Sequence, residues 1–236
     1  FSSWKVTKVA TCTKAGNQSR TCSVCKKKES KKLSALGHSY KITKIKAKAT
    51  LSKNGSAVTK CKRCGLTSSK TVIYKIKTVK LSASSFAYNG KAKTPTVTVK
   101  DSKGRTLKKN TDYTVKYSSG RKNIGTYTVT VTFKGNYSGQ KSLKFKIVLG
   151  QVFGISQMNK KGINFTWNKV AGATGYEVYF YDVSGKRYVK LAATKTTKLG
   201  NSGAKGKMTI KIRAFKKVGN KMHYGSFSKP VTFRAK

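Results

Sequence analysis

Six residues able to ligate a soft metal lie within the first 64 positions: Cys12, Cys22, Cys25, His38, Cys61 and Cys64. Four of them form two Cys-x-x-Cys pairs, Cys22–Cys25 and Cys61–Cys64. Such a knuckle with further Cys or His nearby is what tetrahedral zinc uses, whereas five cysteines paired as disulfides leave one thiol over. Two groupings are open. Cys12, Cys22, Cys25 and His38 make one four-ligand set. In another repeat phase His38 joins Cys61 and Cys64, the first unit's own histidine falls upstream of Phe1, and Leu51 replaces the third sulfur. Two complete sites need eight ligands and six are present, so at most one follows. Local Cys22–Cys25 and Cys61–Cys64 disulfides, natural in an oxidising exterior, and free thiols are the alternatives to structural zinc. A redox role lacks its βαβ context, and a catalytic zinc lacks a base other than Glu29. The expected role is to hold a segment whose own core is too small.

Other chemistry is sparse. The acidic residues Glu29, Asp101, Asp112, Glu177 and Asp182 are scattered, which argues against a paired-carboxylate hydrolase. Asp112 reads as a turn cap because no second carboxylate is near enough to share calcium. His223 reads as a turn or edge residue. No nucleophile elbow, P-loop or dinucleotide fingerprint occurs in a strand–helix context, so no catalytic residue is assigned and the chain is expected not to be an enzyme. Tyr179 and Tyr181 alternate away from Tyr176, Val178 and Phe180; they suit either a sugar-stacking platform or a second packed face.

The elements that must position these residues are strands. ATCTKAGNQSRTCSVC (Ala10–Cys25) aligns with ATLSKNGSAVTKCKRC (Ala49–Cys64) at an offset of 39, with Gly16 on Gly55, Cys22 on Cys61 and Cys25 on Cys64. A constant offset marks arrayed supersecondary units. WKVTKVAT and YKITKIKA read as short strands. From Val79 period-two alternation takes over, as in GTYTVTVTF, where Tyr127, Val129, Val131 and Phe133 share a face, and KSLKFKIV, where Leu143, Phe145 and Ile147 point inward. Asn89-Gly90, Lys103-Gly104, Gly120 and Gly135-Asn136 mark turns. INFTW, GYEVYFYD, MTIKIRAF and PVTFRA repeat the pattern after Leu149. The fold class is all-β: small Cys/His-rich β-units over 1–78, then two β-sandwich domains in tandem over 79–148 and 149–236.

Lys+Arg number 53 against 5 Asp+Glu, a formal net charge of +48. Each of the three segments is strongly basic, so the charge is not a tail. Lysine supplies 46 of those residues and arginine 7. Lysine is a hydrated point charge, and arginine the bidentate reader of bases and phosphates. Sequence-specific nucleic-acid reading is therefore disfavoured, and diffuse attraction to a polyanion favoured over mere solubility, which needs a charge of only about 2–8 per small domain. No run of 18 apolar residues exists, so membrane insertion is not expected, and FSSWKVTKV lacks the pattern of a signal peptide. The sequence reads as a mature fragment of a longer protein.

GINFTWNKVAGATGYEVYFYD…TIKIRAF…YGSFSKPVTF, with Trp167, Tyr176 and Tyr224-Gly225…Ser228…Pro230-Val231, resembles a fibronectin type III domain. The YNG, DYTVKY, NIGTYTVTV and GNYSG phrases of 79–148 resemble bacterial immunoglobulin-like repeats of gut Firmicutes surface proteins. The N-terminal region is similar to short Cys/His repeats found beside such domains. The resemblance implies a secreted or bacterial cell-surface location and a stalk, spacer, adhesion or accessory role. Combined with the charge, it leads to the expectation of a non-catalytic binding module held to polyanionic polymers, either wall teichoic-acid-like chains or acidic host glycans. The alternatives are the accessory tail of a larger secreted hydrolase, and an adhesin that grips a host protein through loops such as Ser118–Asn123 or Ala193–Gly206.

Overall fold

β-branched residues alternating with lysine fit a pleated, half-buried surface better than a helix. In the computed structural model, which describes residues 1–159, 162–201 and 206–235, the described residues form twenty strands and no helix. The all-β class read from the alternation is the one observed.

The first six strands are two copies of one sheet. β1 (Lys5–Lys8), β2 (Gly16–Thr21) and β3 (Lys28–Leu33) pair antiparallel in that order, and β4 (Tyr40–Ala47), β5 (Gly55–Cys61) and β6 (Thr67–Ile73) do the same. The offset of 39 carries β2 onto β5 and β3 onto β6. It also explains the paired glycines: a Cβ on Gly16 would run into the backbone of Lys8 and Ala10, and one on Gly55 into that of Ala47 and Ala49. Only glycine lets these backbones approach so closely. The buried face of β5 is Gly55, Ala57, Thr59 and Cys61, so it removes little apolar surface from water.

β7 (Ile76–Leu81), β8 (Ser85–Ala87), β9 (Val97–Asp101), β10 (Tyr113–Tyr117), β11 (Gly125–Phe133) and β12 (Gln140–Val148) form a two-stranded sheet, β7–β9, and a four-stranded one in the order β10–β11–β12–β8. Val129, Val131, Phe133, Phe145 and Ile147 are all buried, as their alternation requires. Gly104 (φ +80°) and Gly120 (φ +75°) occupy the left-handed region at two of the expected turns.

The remaining strands are β13 (Ser156–Asn159), β14 (Ile163–Thr166), β15 (Gly175–Asp182), β16 (Arg187–Thr194), β17 (Lys198–Asn201), β18 (Gly206–Val218), β19 (Lys221–Tyr224) and β20 (Val231–Ala235). One sheet runs β13–β14–β17 and the other β16–β15–β18–β19, with β20 also on β18. A three-stranded sheet packed on a five-stranded one makes a β-sandwich. Ile163 and Phe165 from one sheet meet Val178, Ile210 and Ile212 from the other in a continuous core. Phe165 stacks on Phe233 with ring centroids 5.3 Å apart, and Trp167 meets Tyr176 edge-on at 5.4 Å.

By contacts the chain divides into two units: Phe1–Val79 with Val99–Thr114 and Thr132–Gln140, and Lys80–Thr98 with Val115–Val131 and Lys141–Lys236. Residues 79–148 thus contribute to both. Within the first unit the second repeat is hydrogen-bonded onto a turn: the Ala49 N–H donates to Asn136 (3.1 Å) and the Ser138 N–H to Ala49 (2.9 Å). Within the second, Gly172 lies so close to the Tyr88 ring that no Cβ fits, and the Lys216 ammonium sits 4.8 Å from that ring's centre.

Candidate metal centre

One group among the described residues gathers four metal-ligating side chains: Cys12, His38, Cys61 and Cys64, whose donor atoms all lie within 4.8 Å of one another. The backbone places each of them. Thr11 starts a tight turn in which the Thr11 N–H donates to Lys14 (2.9 Å) and the Lys14 N–H to Thr11 Oγ1 (3.0 Å), and the Thr11 carbonyl accepts the Leu36 N–H at 2.9 Å. That last bond brings Cys12 beside the loop that carries His38. The Lys62 N–H donates to Ser39 (2.8 Å), joining the same loop to the Cys61–Cys64 knuckle. Arg63, inside the knuckle, reaches back to the carbonyls of Leu36 and Gly37 at 3.3 and 3.2 Å. His38 stacks on Tyr40, which fixes its ring plane.

The distances suit one tetrahedral ion. With metal–sulfur bonds of about 2.3 Å, sulfurs at two corners of a tetrahedron stand about 3.8 Å apart. Cys12 Sγ and Cys61 Sγ are 3.8 Å apart, and Cys64 Sγ lies 3.3 Å from His38 Nδ1. The knuckle's amides prepare a thiolate: the Cys64 N–H lowers the Cys61 thiol most, overcoming burial with help from Arg63, His38 and Ser39, and it is pulled down to about 5. Burial, followed by hydrogen bonds to Cys64 and Cys61, pushes Cys12 up to about 11. A thiol so placed keeps its proton until a cation displaces it, as metal binding does. Four soft donors that leave no position for water can hold a metal ion structurally.

This set combines the two sequence groupings. His38, Cys61 and Cys64 come together as the second grouping has them, and Cys12 of the first unit supplies the missing sulfur. Cys22 and Cys25 stand apart from Cys12 and His38. They form a knuckle of their own, in which the Cys25 N–H lowers the Cys22 thiol. All five cysteines are free. The pairing of Cys12 with the other unit was missed because both knuckles were filled from neighbouring sequence. Its signal was Leu51, an apolar residue standing where Cys12 does in the first unit, so that the two units differ in ligand count.

Elsewhere, Tyr179 packs edge-on against Phe227 at 5.0 Å and accompanies Arg213 in a ladder with Glu177, so it belongs to a second packed face. Tyr181 pairs edge-on with Tyr188 at 5.2 Å and is partly exposed. His223 lies on β19 opposite Lys216. Asp112 Oδ2 accepts the Lys108 N–H (2.8 Å), closing a turn. Of the loop Ala193–Gly206, residues 202–205 lie outside the described residues. No helix among the described residues is long and apolar enough to cross a membrane.

Fold and site define a class: an all-β chain in which two small three-stranded units share a four-donor centre and are followed in sequence by further antiparallel sheets. Among solved structures, the chain is similar to domains A168–A170 of titin (14% identity, 97% of this chain and 82% of that one covered, TM-score 0.27). It is also similar to the chicken CNTN1 FN1–FN3 domains (13% identity, 99% and 97% covered, TM-score 0.26). At such TM-scores the likeness carries no functional inference. No family model matches the chain, and no curated protein matches it.

Proposed function

We propose that the chain is a non-catalytic, extracellular module of a bacterial surface protein, held to anionic wall polymers or acidic glycans by its lysines, with structural zinc at the Cys12–His38–Cys61–Cys64 centre. The observation that carries this reading is the fate of the carboxylates. Glu29 pairs with Arg20, Asp101 with Arg105, and Glu177 with both Lys190 and Arg213, each at 2.7 Å. Asp112 accepts the Lys108 N–H, and Asp182 accepts the N–H and hydroxyl of Ser184. Every acidic side chain is committed to a local partner. The great excess of lysine is left without internal counter-charge, so a polyanion supplies what the fold does not. Many weak ammonium contacts release counterions and sum to useful avidity.

The test is retention on purified wall polymer across a salt gradient. Salt shortens the reach of these charges from about 10 Å at 0.1 M to about 3 Å at 1 M, so binding at low salt should be lost well before the top of the gradient. Retention that ignores salt, or none at low salt, rejects the lysine surface as the holding device. Metal analysis of the same sample reads the zinc; its absence from protein prepared under reducing conditions rejects the centre.

A further inference from the structure

The two repeats use equivalent positions in opposite ways. In each there is a turn opened by a threonine: Thr11 with Lys14 in the first, and Thr50 with Lys53 in the second, where the Thr50 N–H donates to Lys53 at 2.9 Å. In each there is also a knuckle of one geometry. The Cys22 carbonyl accepts the Lys26 N–H (3.1 Å) and the Cys22 N–H donates to Lys27 (2.9 Å). The Cys61 carbonyl accepts the Gly65 N–H (3.0 Å) and the Cys61 N–H donates to Leu66 (2.8 Å). Even the left-handed residue is shared, Lys26 at φ +60° and Gly65 at φ +74°. A lysine held in that region is costly, so the turn is fixed by something other than local preference.

The first unit's turn sends Cys12 forward to the second unit's knuckle. The second unit's turn carries Leu51, exposed, in the same slot, and this unit is followed by β7 rather than by a third copy. Donation therefore runs one way along the array, and the sulfur is missing where there is no next knuckle to receive it. By the same rule the first unit's knuckle is a receiver.

We infer that Cys22 and Cys25 are the receiving half of a second soft-metal site, completed by a Cys12-type sulfur and a His38-type imidazole from a further copy of the same repeat. This rests on reading Cys12, His38, Cys61 and Cys64 as a metal centre. The ligand is a divalent soft cation, and the partner is another unit of about 39 residues in the same register. Metal thus acts between units rather than within them, and each added unit adds one ion.

The test is a cobalt(II) titration under reducing, anaerobic conditions, read by thiolate-to-cobalt absorption. It uses the full chain and a version with residues 1–39 duplicated directly before Phe1, which places a Cys12 and a His38 upstream of the knuckle in the spacing seen at Tyr40. The chain takes up one tight equivalent and the extended chain two. Cys22→Ser with Cys25→Ser returns the extended chain to one and leaves the unextended chain at one. One equivalent in the extended chain, or loss of the unextended chain's equivalent in the double variant, overturns the inference. No tight equivalent in the unextended chain overturns instead the centre on which it rests.

Discussion

The second repeat and the C-terminal sandwich are built from the same period-two alternation, yet they hold together differently. β5 buries Gly55, Ala57, Thr59 and Cys61, and a part-buried hydrogen bond joins the hydroxyls of Thr59 and Thr71 at 2.9 Å. β18 buries Ile210, Ile212 and Ala214 against Phe165 and Val178. Each large apolar side chain buried in the second case contributes roughly 1.5–3 kcal/mol, whereas glycine and alanine contribute almost nothing. Alternation therefore specifies a strand but not what stabilises it. In the sandwich apolar burial does so; in the repeats it falls to the backbone ladder and the four converging donors.

The largest effect that would separate the two regions is metal removal. Structural zinc in small finger-like domains contributes an apparent ~10–16 kcal/mol. A strong chelator should raise amide exchange throughout β1–β6 towards that of an unfolded chain while β14, β15 and β18 stay protected, as read by exchange mass spectrometry. Unchanged protection of β5 would mean that its backbone ladder suffices. The converse is Phe165→Ala, which removes a fully buried ring and should cost the sandwich about 3–5 kcal/mol with the metal content unaltered. An equal loss of protection in β5 would show that the two regions do not unfold independently.

A smaller effect comes from acid. Burial raises the Glu177 carboxyl, but hydrogen bonds from Lys190 and Arg213 outweigh it and hold the group below its ordinary 4.5. Its stabilisation is therefore complete above 4.5 and is lost as pH falls through the lower folded value. In Glu177→Gln the sandwich should be weaker by about 1–3 kcal/mol above that point and lose less on acidification, as seen in thermal melts across pH. A variant with the same acid profile as the parent would remove Glu177 from the account. The smallest expected effect is none: Leu51→Cys restores the repeat's missing sulfur but adds no second tight cobalt equivalent, because the slot at the knuckle is already filled by Cys12. Two equivalents in that variant would show that the second unit can close a site by itself.

The strands were legible because alternation is local: Val129 and Val131, Phe145 and Ile147, and Ile163 and Phe165 all lie on the side their spacing implies. The donors were legible by type, and three of them by grouping. The partnership of Cys12 with Cys61 was not, because they stand 49 positions apart and the hydrogen bonds at Thr11 and Ser39 that bring them together leave no trace in composition. The burial of Glu177 was hidden for a similar reason. Its position alternates outward, but the side chain of Arg213, from a strand 36 residues on, covers it.

The Cys12–Cys61 crossing has a mechanical consequence for a chain loaded in tension. With an ion in place, force entering at the first unit can pass from sulfur to metal to sulfur, shielding the chain between the two cysteines, which stand 49 positions apart. Loss of the ion puts that segment, with β2, β3, β4 and most of β5, into the load path; once those sheets part it adds about 160 Å of contour at roughly 3.3 Å per residue. The centre is therefore a clasp on stored length, and metal supply decides whether the small sheets behind it bear the load.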